Sequence, residues 1–200
     1  MPFFIIKPYN FNKGQEISEE LREAKEKFKL ELDKKANEYY ILGIKDDYQK
    51  TKVVTIPESI DGILVTKLLD EEESFSSYRY ISELVISKNV KYIGNNAFEL
   101  CTSLPEVDIS NVEEMGNYVF SKTGVKTIIL SENTKLICNG AFDYCSNLTE
   151  LTFNYNGMVE IELNTLSLQE KDINNIRANN FSSYNNSNNN STIYYTRIFN

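Results

Sequence analysis

The chain has 200 residues, 41% hydrophobic and 25% charged, a balance typical of one folded domain with an ordinary core. Its net charge of −8 disfavours direct nucleic-acid binding, because the composition offers no excess of Lys and Arg to displace phosphate counterions. The absence of histidine excludes Ser-His, Cys-His and His-metal arrangements.

Residues 1–49 are predicted to form a cap made of one strand and one amphipathic helix. The run "FFII" near the start predicts a short strand, and residues 17–40 show the pattern of a helix. Ser18 is a candidate N-cap, followed by Glu19 and Glu20 in the first turn. The apolar stripe recurs at steps of three and four residues: Ile17, Leu21, Ala24, Phe28, Leu32, Ala36 and Tyr39.

The start of the chain does not resemble an export signal. It has only four consecutive apolar residues and no basic segment ahead of them. No apolar run approaches the roughly 18 residues that a membrane span needs. These features predict a cytoplasmic protein without membrane contact.

After Gly43 the pattern changes to that of strands. The stretch "TKVVTIPESIDGILVTKLL" is rich in β-branched residues and predicts a strand, a turn at Asp61-Gly62 and a second strand. The acidic run at 70–73 predicts a solvated loop.

An internal repeat follows, with units that begin at Ile81, Leu104, Val125 and Leu148, spaced 23, 21 and 23 residues apart. Each unit is too short to enclose a core, so stacked units must bury one continuous column together. In the recurring "IG..AF..C" segment, the glycine is expected to allow a tight bend and the phenylalanine to fill the core. The equivalent apolar positions are Leu84, Val107, Ile128 and Leu151, then Ile93, Met115 and Ile137, then Phe98, Phe120 and Phe142.

The pattern "L..I.L…V..IG..AF..C..L" over roughly residues 50–153 resembles the leucine-rich repeats of the BspA type. The resemblance implies an α/β repeat fold: a short right-handed leucine-rich-repeat solenoid, mostly β, with an N-terminal α-helical cap and a C-terminal capping segment. The sequence departs from the pattern in that Cys138 replaces the glycine, Thr123 replaces the cysteine, and the second unit is two residues short.

Residues 154–200 are rich in asparagine and are expected to form the C-terminal cap. The segment "TIYYTRIF" is aromatic and β-branched, and it is expected to be a strand that covers the last coil, since an open sheet edge needs a cap.

The sequence gives no reason to expect an enzyme, a cofactor or a metal. It has no glycine-rich phosphate loop and no calcium-loop pattern. Cys101 and Cys145 occupy a repeat position that should point into the core, where a thiol behaves as a small hydrophobic group. Cys138 is out of pattern and is the one candidate for a reactive thiol.

The repeat also creates a surface, because residues between the core positions of each strand should face outwards, about 4.8 Å from their equivalents in the next unit. These residues are the predicted partner-binding site: Glu83, Glu106, Thr127 and Glu150 in one column, and Val85, Asp108, Ile129 and Thr152 in the adjacent one. Hydrated glutamates that simply recur with the repeat would give the same column. Another column, Asn89, Asn111 and Asn133, is expected to be a structural hydrogen-bond ladder at a turn.

Three functions fit these observations. The first is a non-enzymatic module that binds a partner protein through the strands, and the acidic column favours a basic partner. The second is a small acidic intracellular inhibitor, of the immunity or anti-defence type, that blocks the nucleic-acid channel of a basic effector. The third rests on the family resemblance alone, and is a surface adhesin whose leader is missing.

Overall fold

The computed structural model describes residues 17–45, 48, 50–69, 75, 78–131, 133–153, 158–162, 182–184 and 192–196, with side-chain detail as far as Thr149. The "FFII" strand and the acidic run at 70–73 therefore lie outside the described residues.

The N-terminal helix is shorter than the sequence pattern predicts. Helix α1 spans Glu19–Lys27, and the Ser18 hydroxyl caps it by accepting the Leu21 N–H at 3.0 Å. The chain then becomes extended at Phe28. Two antiparallel strands follow, β1 (Phe28–Asp33) and β2 (Glu38–Ile44). The prediction of a helix over 17–40 is thus wrong beyond residue 27.

The hairpin forms because its residues also satisfy a period of two. In "FKLELD" apolar and charged residues alternate, and "EYYILGI" is rich in the aromatic and β-branched residues that favour strands. The turn between them is set by Asp33, whose carboxylate accepts the N–H groups of Lys35 and Ala36, and by Asn37, which adopts a left-handed φ of 57°.

The next segment forms the strand, turn and strand that the sequence predicts. Strand β3 spans Val53–Thr55, and β4 (Ser59–Ile60) pairs antiparallel with β5 (Ile63–Leu68). Asp61 and Gly62 both have positive φ, 53° and 75°, as a two-residue hairpin turn of this type requires.

Four coils of the solenoid follow, and each contributes one front strand and one back strand; the back strands form one sheet, and the first front strand is paired separately from the other front strands. The front strands are β6 (Glu83–Val85), β8 (Glu106–Ile109), β10 (Thr127–Leu130) and β12 (Glu150–Phe153). The back strands are β7 (Tyr92–Ile93), β9 (Glu114–Met115), β11 (Leu136–Ile137) and β13 (Met158–Glu162). Neighbouring coils pair in parallel, as stacked repeats should.

The back sheet is closed at both ends by antiparallel strands. Its order is β1-β2-β5-β7-β9-β11-β13-β15-β14, where β14 is Ser182–Tyr184 and β15 is Thr192–Thr196. The pairing of β15 with β13 confirms that "TIYYTRIF" supplies a strand that covers the last coil. The domain boundaries at 49/50 and 153/154 stay predictions.

The core contains a column of phenylalanine rings, one from each successive coil. Phe75, Phe98, Phe120 and Phe142 are fully buried. Successive ring centroids lie 5.0, 5.4 and 6.0 Å apart, and the last two pairs are nearly parallel. The Leu and Ile positions of the repeat are buried beside this column, so the solenoid core is the one that the repeat predicts.

The loop after each back strand forms its own layer of hydrogen bonds. The N–H groups of Asn96, Phe98 and Leu100 donate to carbonyls of the next coil at 2.8–2.9 Å. The next coil repeats this arrangement with distances of 2.7–3.0 Å. Two positions of every loop have a left-handed φ: Asn96, Tyr118 and Gly140 at one, and Leu100, Lys122 and Tyr144 at the other.

The glycine that recurs in the repeat has a different role from the expected one. Gly94 and Gly116 are not at the left-handed positions of the loop. A Cβ atom on Gly116 would lie 2.7 Å from the backbone nitrogen of Asn95 and 2.9 Å from the carbonyl carbon of Gly94. The glycine therefore permits the close approach of two coils, and the expectation that it permits a bend is wrong.

Candidate functional site

The outward face of the front strands, called the strand face below, presents the residues that the sequence predicts as a site. Strands β8, β10 and β12 pair in register, which aligns Glu106, Thr127 and Glu150 in one column. The same register aligns Asp108, Ile129 and Thr152 in the adjacent column. Glu106 and Asp108 are exposed and Thr127 is half-buried. For Glu150 and Thr152 the structure describes the backbone alone.

The predicted columns are interrupted between β6 and β8. Strand β6 carries Glu83 and Val85, and its ladder pairing is with β3. It lies beside β8, but the two strands belong to separate hydrogen-bonded sheets. In the described residues no ladder pairing aligns Glu83 with Glu106, and the expected spacing of these two side chains stays a prediction.

Strand β3 adds two residues to the strand face that the sequence reasoning missed. The register places Val53 beside Glu83 and Thr55 beside Val85, and both added side chains are exposed. The signal was present, because "VTIP" matches the strand segment of the later units. The irregular spacing of this first unit hides its outward positions from a simple alignment.

The strand face combines carboxylates with exposed aliphatic groups. Its described acidic side chains are Glu83, Glu106 and Asp108. Val53, Val85 and Ile129 are 45%, 44% and 42% exposed, high values for aliphatic residues. None of its outward residues with described side chains is cationic, and the nearest lysines along the chain, Lys52 and Lys126, lie one residue ahead of β3 and β10.

One carboxylate of the strand face is held in place by its own backbone. The Asp108 Oδ1 atom accepts the N–H of Ser110 at 2.8 Å, which fixes the side chain at the end of β8. In the described part of the chain, the other oxygen of this carboxylate accepts no hydrogen bond.

The predicted asparagine ladder is replaced by another one. The Asn89 side chain donates to the Glu58 carbonyl at 3.1 Å, and in the described part of the chain Asn89, Asn111 and Asn133 are not bonded to one another. Asn95 and Asn117 are bonded to each other across two coils: the Asn95 side-chain oxygen accepts the Asn117 N–H at 2.7 Å and the Asn117 side-chain amide at 3.2 Å.

Two cysteines are core residues, as predicted. Cys101 is fully buried, and burial raises the pKa of its thiol to about 12. Burial also raises the pKa of Cys145, which donates to the Phe120 carbonyl at 3.1 Å. Thr123, which replaces a cysteine in its unit, bonds to the same carbonyl at 2.8 Å. A thiol that stays protonated is a poor nucleophile.

Cys138 is half-buried and none of the three cysteines forms a disulfide. The hypothesis that Cys138 is reactive stays a prediction. In the side chains that the structure describes, no group of three or more Cys, Asp or Glu is placed to hold a metal ion. The described residues also contain no helix with the length and apolar character of a membrane span.

Comparison with known proteins identifies the repeat. A family model described as a BspA type leucine rich repeat region matches residues 71–192 in six copies. No curated protein matches the chain.

Three solved structures of leucine-rich-repeat proteins are similar to this chain. A leucine rich repeat protein of T. pallidum is similar with a TM-score of 0.50 and 20% identity, over 62% of this chain and 68% of that one. A leucine rich cell surface protein of Faecalibacterium prausnitzii shares 18% identity over 83% of this chain and 58% of its own, with a TM-score of 0.46. A leucine-rich repeat protein of Bacteroides ovatus shares 15% identity, over 63% of this chain and 45% of its own, with a TM-score of 0.41.

Proposed function

Because the chain belongs to the BspA-type leucine-rich-repeat family, we propose that it is a non-enzymatic module that binds a partner protein through its strand face. Repeat proteins of this kind use the extended surface of the stacked strands for binding. The function therefore resides in a surface, and the cytoplasm is the proposed location.

The observation that carries the proposal is the mixture of groups on the strand face. Exposed aliphatic residues Val85 and Ile129 lie among the carboxylates of Glu83, Glu106 and Asp108. Protein interfaces combine apolar contact, which contributes most of the affinity, with charges that select the partner and accelerate encounter. With Val53, the strand face carries three partly exposed aliphatic side chains. These side chains add nothing to solubility, which the charged groups alone would provide.

The proposal is tested by charge reversal on the strand face. The triple variant Glu83→Lys, Glu106→Lys and Glu150→Lys is compared with Glu23→Lys, Glu26→Lys and Glu31→Lys, which makes the same change of charge on the N-terminal cap. A partner is first isolated from native cell extract with the tagged protein and then titrated, as a pure protein, by calorimetry. We expect the first triple variant to lose binding and the second to keep it. Equal affinity of the two variants would exclude the strand face.

A second candidate function is favoured by the charge of the chain. An acidic inhibitor that occupies the basic channel of a nucleic-acid-binding effector would use the net charge of −8 and the absence of cations among the described outward residues of the strand face. Its binding would weaken steeply with salt, and nucleic acid would compete for the same partner. Binding that does not depend on salt and does not compete with nucleic acid would exclude the inhibitor and favour the general protein-binding module. A partner found only among extracellular components would instead favour the adhesin.

A further inference from the structure

We propose that the strand face holds an arginine side chain of its partner between Val85 and Ile129, with the Asp108 carboxylate as its ion-pair acceptor. This inference rests on the proposed function, because it names the chemical group that the strand face recognises.

Asp108 is the one carboxylate among the described side chains of the strand face that accepts a hydrogen bond from the described chain. Its Oδ1 atom accepts the Ser110 N–H at 2.8 Å, so part of the entropy cost of fixing the side chain is already met in the free protein. Glu83 and Glu106 are longer by one methylene group. Their carboxylates accept no hydrogen bond from the part of the chain that the structure describes.

Two exposed aliphatic side chains lie on the strands to either side of β8. Ile129 is the register partner of Asp108 on β10, and Val85 lies on β6, which is beside β8 without pairing to it. They are 42% and 44% exposed, so each offers apolar surface to an incoming side chain. Once a partner covers them they exclude water from the ion pair, and a lower local dielectric strengthens the attraction.

Arginine fits this site better than the other groups that a protein can present. Its guanidinium is weakly hydrated and planar, and its stem covers aliphatic surface, whereas the ammonium of lysine is strongly hydrated. An anionic group would be repelled by the carboxylates of Glu83, Glu106 and Asp108. A wholly apolar group would bury the Asp108 carboxylate without a counter-charge, which is costly.

The test uses a chemical probe, because no natural partner is needed to examine the site. An end-blocked peptide amide with the sequence Leu-Arg-Leu is titrated into the full, isotopically labelled protein and followed by backbone amide NMR shifts. The control peptide carries citrulline in place of arginine, which keeps the shape and removes the charge. The variant Asp108→Asn keeps an oxygen for the Ser110 N–H, and Glu31→Gln removes one negative charge from the distant hairpin.

We expect the arginine peptide to shift amides of β6, β8 and β10 in a saturable way at up to about 10 mM peptide. Asp108→Asn should weaken this binding about three- to fivefold, and Glu31→Gln should leave it unchanged. Shifts on the strand face that are equal for the citrulline peptide, or unaffected by Asp108→Asn, would overturn the arginine site and leave the strand face as a protein-binding surface. Absence of saturable shifts on these strands would overturn the arginine site too, while the charge-reversal experiment would decide the proposed function separately.

Discussion

Gly116 lies where two coils of the solenoid approach most closely. An added Cβ would press on the backbone of Asn95 and Gly94, which cannot move aside without shifting the whole preceding coil. We expect Gly116→Ala to lower the free energy of unfolding by about 2 kcal/mol, measured by urea denaturation. Gly62→Ala is the control, because Gly62 has open space around it and only its positive φ would disfavour an alanine there. It should cost about 1 kcal/mol, and a larger loss there would contradict the packing explanation.

Tyr144 presents the opposite case, a residue whose backbone would suit glycine better. Its φ is 53° and its side chain is 67% exposed, so little packing offsets the left-handed conformation. We expect Tyr144→Gly to raise the free energy of unfolding by about 0.5 kcal/mol, the difference between relieved strain and the greater freedom of glycine in the unfolded chain. Tyr144→Ala removes the same ring but keeps a Cβ atom. If alanine stabilises the protein as much as glycine does, the backbone is not the cause.

At the scale of elements, the β1–β2 hairpin depends on a charged group at its turn. The Ala36 N–H, the Tyr40 hydroxyl and the Lys35 N–H all donate to the Asp33 carboxylate, and these bonds hold the pKa of Asp33 below its ordinary value. Because the pKa of Asp33 is lower in the folded state than in the unfolded state, the unfolded chain binds more protons than the folded one at pH values between these two pKa values. The contribution of Asp33 to stability is therefore complete above a pH of about 4 and is lost as the pH falls below it.

This hairpin contribution can be measured by comparing Asp33→Asn with the parent protein. The difference in unfolding midpoint between them should be constant at neutral pH and should shrink as the pH is lowered from about 4. Glu31→Gln, on the same strand but away from the turn, serves as the control. A difference that stays constant through the acid range would show that the aspartate charge has no part in the turn.

The elements differ in how well the sequence specifies them. The repeat could be predicted, because each coil has the same apolar positions. A departure in one unit does not hide the pattern, since the other units keep it. The hairpin could not, because Phe28, Leu30 and Leu32 fit a strand while Phe28, Leu32 and Ala36 fit a helix. Tertiary contacts decide between them: Phe28 is buried against the ring of Phe75, with centroids 6.5 Å apart. The outward columns were predicted by the repeat, but the break between β6 and β8 depends on local geometry that the residue pattern does not encode.

At the scale of the whole molecule, the N-terminal cap protects the back sheet. Strand β2 pairs with β5, and its removal would leave the N–H and C=O groups of β5 as an open edge. We expect a chain that lacks residues 1–44 to associate with itself, as seen by light scattering after size-exclusion chromatography. A chain that lacks only residues 1–16 keeps β1 and β2, and we expect it to show the same molecular mass by light scattering as the parent protein does, apart from the deleted residues. Identical behaviour of the two truncated chains would mean that the hairpin does not serve as a cap.

The loop layer also bears on how the protein is made. Within the two steps that the structure describes, three alternate N–H groups of each loop donate to carbonyls of the coil that follows it in sequence, as Phe98 donates to Val119 and Phe120 to Ala141. During synthesis on the ribosome, the loop carbonyls of a new coil that accept these bonds therefore find partners at once, while its own three loop donors must wait until the next coil has emerged. In this layer of hydrogen bonds the growing chain ends in a row of unmet donors, which the next coil satisfies when it has emerged.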